Sequence, residues 1–357
     1  MRIASASVRP VTLRFARPVV TARGEFAQRT SVLLELRDDS GHAGFGEAAP
    51  WPGFGTESAD EATAWLREIA ARIEGASLQS VDSLEQQLAG APAALAALRG
   101  ALCDLAARGA ARSLAQYLAA RAPATAGAVL DSVAVHALLT SRDPATLRDE
   151  AARARTAGFR ALKIKLGAVP LESDLARARA ARDGAGPGIS LRGDANGAWN
   201  EGTARAALEA LAPLGFEYVE QPLPASDVAG LAALRRCSPV RVAADESVAT
   251  AEGALRLIDI GAADVVVLKP ATLGGPLPAL EIAALAREAG IGVVFSHTFE
   301  SAVGAHHALH CAAAWGDAGA VHGLCTAGLF APDVAAPVAC SNGAASVGAG
   351  PGIGVMP

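Results

Sequence analysis

Ala161-Leu-Lys-Ile-Lys165, Ile189-Ser-Leu-Arg-Gly-Asp194, Phe216-Glu-Tyr-Val-Glu220, the more broken Val240-Arg-Val-Ala-Ala-Asp245, and Val265-Val-Val-Leu-Lys269 are apolar runs that each stop at a charged residue. The steps between the closing residues are about 29, 26, 25 and 24 positions, close to one strand plus one helix. Between the runs lie segments rich in Ala, Leu and Arg, such as Asp174 to Arg182, Glu201 to Leu211 and Leu277 to Ala289, whose composition favours helix. This rhythm predicts an α/β fold of the (β/α)8 barrel type, in which the C-terminal ends of all strands meet at one mouth.

In such a barrel Asp194, Glu220 and Asp245 converge although they are far apart in sequence. Each alone reads equally well as a solvated strand-end acid. A periodic triplet of carboxylates at one mouth repels itself unless a cation joins it, and an all-oxygen set suits a hard divalent ion such as Mg2+. The three are therefore candidate metal ligands. Lys163 and Lys165, two apart on a strand, share one face, and Lys269 approaches from an opposite strand. A neighbouring like charge and partial burial favour the neutral amine that can take a proton from carbon. Lys163, Lys165 and Lys269 are thus candidate catalytic residues, with simple pairing to a carboxylate the plainer reading of Lys163.

Lys163-Ile-Lys165, Asp194-Ala-Asn196, Glu220-Gln-Pro222, Asp245-Glu-Ser247 and Lys269-Pro270 together resemble the signature of the enolase superfamily, in its muconate-lactonizing subgroup. The resemblance covers nearly the whole chain. It implies an N-terminal α+β capping domain, a Mg2+ cofactor with Mn2+ as an alternative, and a lysine base whose enediolate product is stabilised by the metal. It also implies a small-molecule carboxylate substrate and, as is frequent in this family, assembly into homo-oligomers. Three rim motifs, Gly46-Glu-Ala-Ala-Pro-Trp-Pro-Gly-Phe54, Glu300-Ser-Ala-Val-Gly304 and His322-Gly-Leu-Cys-Thr326, resemble the o-succinylbenzoate synthases of the subgroup. The Asp-x-Asp pair with which dipeptide epimerases hold the substrate amino group is replaced by Gly323-Leu-Cys-Thr326. What this implies is a dehydration in menaquinone biosynthesis, with Lys165 as base, Lys269 stabilising the intermediate and Lys163 keeping Lys165 poised. Racemase, epimerase and cycloisomerase chemistry on the same residues, or a non-catalytic barrel that binds no metal, are the alternatives. Candidate substrate contacts are Arg192, where a guanidinium suits a dicarboxylate, Asn196, Phe54, Glu300, Ser301 and Thr326.

Composition is consistent with this. A chain of 357 residues, half of them apolar, holds a barrel of about 250 and leaves room for a second domain. The expected division is 1–124 for the cap, 125–328 for the barrel and 329–357 for a segment returning to the cap. Arg121 to Gly127 is a low-complexity linker, and Ser132 to Leu139 is the expected first barrel strand. A net charge of -5 with no basic run argues against nucleic acid. Residues 1–30 lack a signal h-region, and no apolar stretch reaches membrane-spanning length, so a cytoplasmic enzyme with no membrane partner is expected. Five scattered cysteines form no CxxC pair and read as free thiols. Glu47 to Gly55, apolar and stiffened by proline, reads as a lid over the mouth. His306 and His310, one helical turn apart, read as packing rather than as metal ligands.

Overall fold

A computed structural model describes residues 2–21, 24–76, 81–325 and 328–357. Its N-terminal part is an antiparallel meander, β1 (Ile3–Thr21), β2 (Gly24–Asp38) and β3 (Ala43–Ala48), followed by helices α1 (Ala59–Ile73), α2 (Asp82–Gln87), α3 (Pro92–Gly109) and α4 (Leu114–Ala119). The first hairpin runs further than the alternating stretches Ile3–Phe15 and Thr30–Arg37 predict. Pairing continues past Arg14 and Gln28, through a register shift, to Val19 with Phe26. Backbone donors and acceptors sustain a ladder where apolar alternation has already ended.

β3 is buried along its whole length because α3 lies directly on it. A Cβ on Gly46 would stand 1.9 Å from the Ala97 carbonyl oxygen, so the contact needs glycine in the strand and small residues in the helix. On the same helix the buried Asp104 carboxylate accepts from the N–H groups of Phe45 (2.9 Å) and Ile353 (2.7 Å) and from Arg108 Nε (3.1 Å). It ties β3, α3 and the end of the chain together. Asp104→Ala strips an acceptor from two buried N–H groups and from Arg108, and is expected to cost about 3 kcal/mol. An unchanged urea midpoint contradicts this.

The barrel begins with Ser132–Val135 (β4) and Ala137–Leu139 (β5), one run interrupted at His136. Then come α5 (Pro144–Thr156), β6 (Ala161–Lys165), α6 (Leu171–Ala185), β7 (Ser190–Asp194), α7 (Glu201–Leu211), β8 (Phe216–Glu220), α8 (Val228–Cys237) and β9 (Arg241–Ala244). The series ends with α9 (Ala251–Ile260), β10 (Val265–Leu268), α10 (Pro276–Glu288), β11 (Gly292–Phe295), α11 (Ala302–Trp315) and β12 (Val321–His322). Parallel pairing runs from β5 to β11, and the Ser296–Gly323 bridge with the β12–β4 pair closes the ring. Asp143, Asn200, Asp227, Thr250 and Ser301 cap α5, α7, α8, α9 and α11, each accepting an N–H of the first turn. Among the described residues no helix follows β12. The chain instead forms a hairpin, β13 (Cys340–Ser341) and β14 (Ala344–Ser346), whose second strand lies antiparallel on β4. Leu329 and Ala331 bond to β1, and Gly352 to the turn before α4.

His306 and His310 are packing residues. His306 Nε2 lies 3.2 Å from the Ala336 carbonyl, and His310 Nδ1 accepts from the Ala115 N–H at 3.1 Å. His322 Nδ1 likewise accepts from the Phe295 N–H at 3.0 Å. Burial pushes His310 and His322 down to about 3, whereas an unfolded histidine titrates near 6.5. Below about pH 6.5 the unfolded chain therefore takes up protons that the folded chain refuses. Stability is full above that pH and is expected to fall toward pH 3 by roughly 1.4 kcal/mol per unit for each histidine. A lower urea midpoint at about pH 5 than at pH 7 is the expected result; equal midpoints contradict it.

Candidate active site

Parallel register sets the site. Lys165 on β6 is level with Asp194 on β7, which is level with Glu220 on β8. Asp245 and Lys269 close the next two strands. Lys163 Nζ bonds both Glu220 oxygens (2.7 and 2.8 Å) and lies 2.8 Å from Asp194 Oδ2. Lys165 Nζ donates to Asp194 Oδ2 (2.6 Å) and Asn196 Oδ1 (3.0 Å). Across the mouth Lys269 Nζ bonds both Asp245 oxygens, one at 2.6 Å, and stands 4.3 Å from the Phe54 ring centroid. Asn196, with φ of 47°, takes the left-handed conformation that asparagine tolerates, and its Nδ2 donates to Glu246.

Charge is concentrated and dry here. Burial works against ionisation of Asp194, yet Lys163 and Lys165 hold it well below the usual carboxylate range. Burial and then the charge of Asp194 push the Glu220 carboxyl up, against the Lys163 ammonium that bonds both its oxygens and favours the carboxylate. Lys163 and Lys269 are held above the ordinary lysine value, the carboxylates outweighing burial. Lys163 and Lys269 are thus ammonium groups here, not the neutral amines that like charge and burial alone would favour. As the side chains stand, no three acidic, histidine or cysteine groups among the described residues converge closely enough to hold an ion. The donor set nevertheless fits one. Asp194, Glu220 and Asp245 are buried, purely oxygen-bearing and consecutive around the ring, and their charge is offset here by Lys163, Lys165 and Lys269.

These groups line a pocket of about 130 Å³ with Trp51, Phe54, His136, Leu138, Ser296, His297, Thr298, Phe299, Gly323, Cys325 and Leu329. The Trp51 ring packs against Phe54, Phe26 and Phe299, with centroids 6.2, 5.0 and 5.8 Å away, so the expected lid segment forms one wall. Cys325 also faces the pocket, and a hydrogen bond with the Cys340 thiol draws its own thiol down.

Phe54 and Asn196 line the pocket, whereas three expected substrate contacts do not. Arg192 is 2% exposed and is occupied by Glu217 (2.8 Å), the Val321 carbonyl (2.7 Å) and His136 (3.2 Å). Two residues before Asp194, it shares the inward face but lies one layer deeper, where it cannot reach a substrate at the mouth. The Glu300 carboxylate turns back to Thr298, accepting from its N–H at 2.7 Å and its hydroxyl at 3.0 Å. Ser301 is taken up by Glu47, whose carboxylate accepts from its N–H (2.9 Å), its hydroxyl and the Gly304 N–H (2.9 Å). Thr326 lies outside the described residues.

Several contributors were not read from the sequence as site residues. Glu47 reaches the start of α11 from 254 positions away, and Arg29 bonds the carbonyls of Thr298, Phe299 and Pro50. Together they fasten the loop after β11 to the lid. Gln221 accepts from the N–H groups of Asp245 (3.0 Å) and Ser247 (3.1 Å), bracing the end of β9. Its place beside Glu220 was visible, but its bracing role was not.

Residues 3–119 match the mandelate racemase/muconate lactonizing enzyme N-terminal domain, and residues 146–357 match the enolase C-terminal domain-like family. The chain is 30% identical to the hydrophobic dipeptide epimerase of Enterococcus faecalis over 319 residues, 88% of each chain. It is 41% identical to the o-succinylbenzoate synthase of Thermobifida fusca over 209 residues, 58% of this chain and 63% of that enzyme. The crystal structure of the dipeptide epimerase from Enterococcus faecalis V583, complexed with Mg and the dipeptide L-Leu-L-Tyr, superposes with a TM-score of 0.90 at 28% identity, covering 99% of both chains. With both of its parts matched, and with lysines and carboxylates closing successive strands of one barrel, the chain is an enzyme of the enolase superfamily, in the mandelate racemase/muconate lactonizing group.

Proposed function

We propose that this enzyme is an o-succinylbenzoate synthase, dehydrating 2-succinyl-6-hydroxy-2,4-cyclohexadiene-1-carboxylate to 2-succinylbenzoate. The observation that carries the reading is the approach of Lys165 and Lys269 to one pocket from strands four apart in a closed ring of eight, with three carboxylates between them. Asp194, Glu220 and Asp245 would hold Mg2+, the ion present in the related epimerase complex. When bound it supplies positive charge for the carboxylate oxygens of the enediolate. Lys165, as the free amine, takes the proton from the ring carbon that bears the carboxylate. Its new ammonium is then placed on the same face to protonate the departing hydroxide, which leaves as water in a syn elimination. Lys163 stays protonated between Glu220 and Asp194. Lys269, across the ring, offers its charge to the intermediate, and Phe54 covers it from water.

The greater identity to a synthase supports this choice, as does a strand-eight rim with Gly323 and Cys325 where an acidic pair would hold an amine. A second reading draws on the epimerase match along most of the chain: Lys165 and Lys269 would then act as opposed bases on one α-carbon. Side-by-side assays of the cyclohexadiene carboxylate, N-acylamino acids and dipeptides in deuterium oxide separate the two. Rapid aromatisation with slow α-exchange is expected. Exchange of deuterium into an amino-acid substrate without dehydration would favour the racemase.

A further inference from the structure

Two histidines of the pocket wall take no part in the chemistry above. His136 interrupts the first barrel strand, and His297 follows β11. Each ring is fixed through Nδ1 by a group that can only donate. Arg192 Nη1 lies 3.2 Å from His136 Nδ1, and the Phe299 N–H points at His297 Nδ1 from 3.0 Å. A guanidinium and a backbone amide have no lone pair to offer, so both Nδ1 atoms must be unprotonated acceptors. The Glu300 carboxylate, 3.8 Å from His297 Nδ1, is too far to reverse that assignment. Both rings are also neutral. Burial, then the charge of Arg192, holds His136 well below the usual range, and burial with Lys269 pushes His297 down to about 3. A neutral ring with a bare Nδ1 carries its one proton on Nε2.

Those Nε2–H groups are unspent. His310 and His322 have Nε2 atoms sealed in the core without a partner, but those of His136 and His297 are not sealed off, and nothing among the described residues accepts from them. Both side chains line the pocket. Gly323 lies between their strands, and a Cβ there would come within 3.2 Å of His136 Cε1 and 2.7 Å of Ser296 Oγ. The missing side chain leaves the rings room. A wall of neutral donors suits a carbonyl or carboxylate oxygen and repels an ammonium group, which brings only donors of its own.

We propose that His136 and His297 form an acceptor-binding subsite that holds the oxygens of the substrate's side arm, with Arg192 as the residue that positions His136. Resting on the reading of this pocket as the reaction site, the subsite makes it selective for acyl or oxo-acid arms over free amines. It also gives the buried Arg192 a role at one remove from the substrate.

The test uses the Mg2+-loaded enzyme and calorimetric binding of 2-succinylbenzoate against benzoate, which lacks the arm. His136→Phe and His297→Phe are each expected to weaken 2-succinylbenzoate roughly tenfold, with benzoate nearly unchanged. Equal losses on both ligands, or none on either, overturn the subsite. If the wild type neither binds 2-succinylbenzoate nor dehydrates the diene, the synthase reading falls. The same comparison is then made with N-acetyl-L-phenylalanine against L-phenylalanine, where selective loss of the acetylated ligand upholds the subsite and equal loss overturns it. Independently of any variant, nitrogen-15 NMR of the histidine rings should show both as the Nε2–H form. A proton on Nδ1 of either ring overturns the assignment.

Discussion

Lys165→Ala is expected to lower turnover of the cyclohexadiene carboxylate by about a thousandfold or more while leaving the barrel folded. The expectation follows from position. Lys165 is the last residue of β6, its Nζ is held by Asp194 and Asn196, and it is more exposed to the pocket than Lys163, at 19% of its side chain against 9%. It is therefore the lysine of that pair that can leave its carboxylate and meet a substrate. Its loss removes one charge from a cluster whose other members still pair, since Lys163 continues to bond Asp194 and Glu220. Circular dichroism and melting should match the wild type, and ligand binding should persist. Full turnover by a folded Lys165→Ala protein would show that the proton is removed elsewhere.

Glu220→Gln is expected to weaken Mg2+ binding and to lower turnover by at least a hundredfold. The substitution keeps the shape of a side chain that is 1% exposed and removes only its charge. Two losses follow. Lys163, which bonds both Glu220 oxygens, keeps a single anionic partner in Asp194, and the proposed ligand set drops from three carboxylates to two. A hard dication bound in a buried site depends on ligand charge more than on ligand number alone. Calorimetric titration of Mg2+ into both proteins is the check, and equal affinity would remove Glu220 from the ligand set.

What could be read in the sequence was whatever depends on local periodicity. Charged residues at the ends of apolar runs mark a barrel mouth, so Lys163, Lys165, Asp194, Glu220, Asp245 and Lys269 could be brought together from spacing alone, and the structure places them around one pocket. Spacing fixes which face a side chain takes but not its depth. Arg192 was therefore expected at the substrate, although it lies a layer below and reaches the pocket only through His136. Contacts between distant segments left no trace of any kind. The Glu47 carboxylate on the start of α11 and Arg29 on the Thr298 and Phe299 carbonyls exist only after the N-terminal part docks on the barrel. No helix among the described residues is long and apolar enough to cross a membrane.

The central claim is proton abstraction beside a carboxylate by a lysine that works with a divalent cation held by Asp194, Glu220 and Asp245. The most direct test is turnover of the cyclohexadiene carboxylate by purified protein, first with a chelator and then as Mg2+ is restored, following the absorbance of the aromatic product. No turnover with chelator and saturable recovery with Mg2+ are the expected results. Undiminished turnover under chelation, or no turnover once Mg2+ is shown to bind, would contradict it.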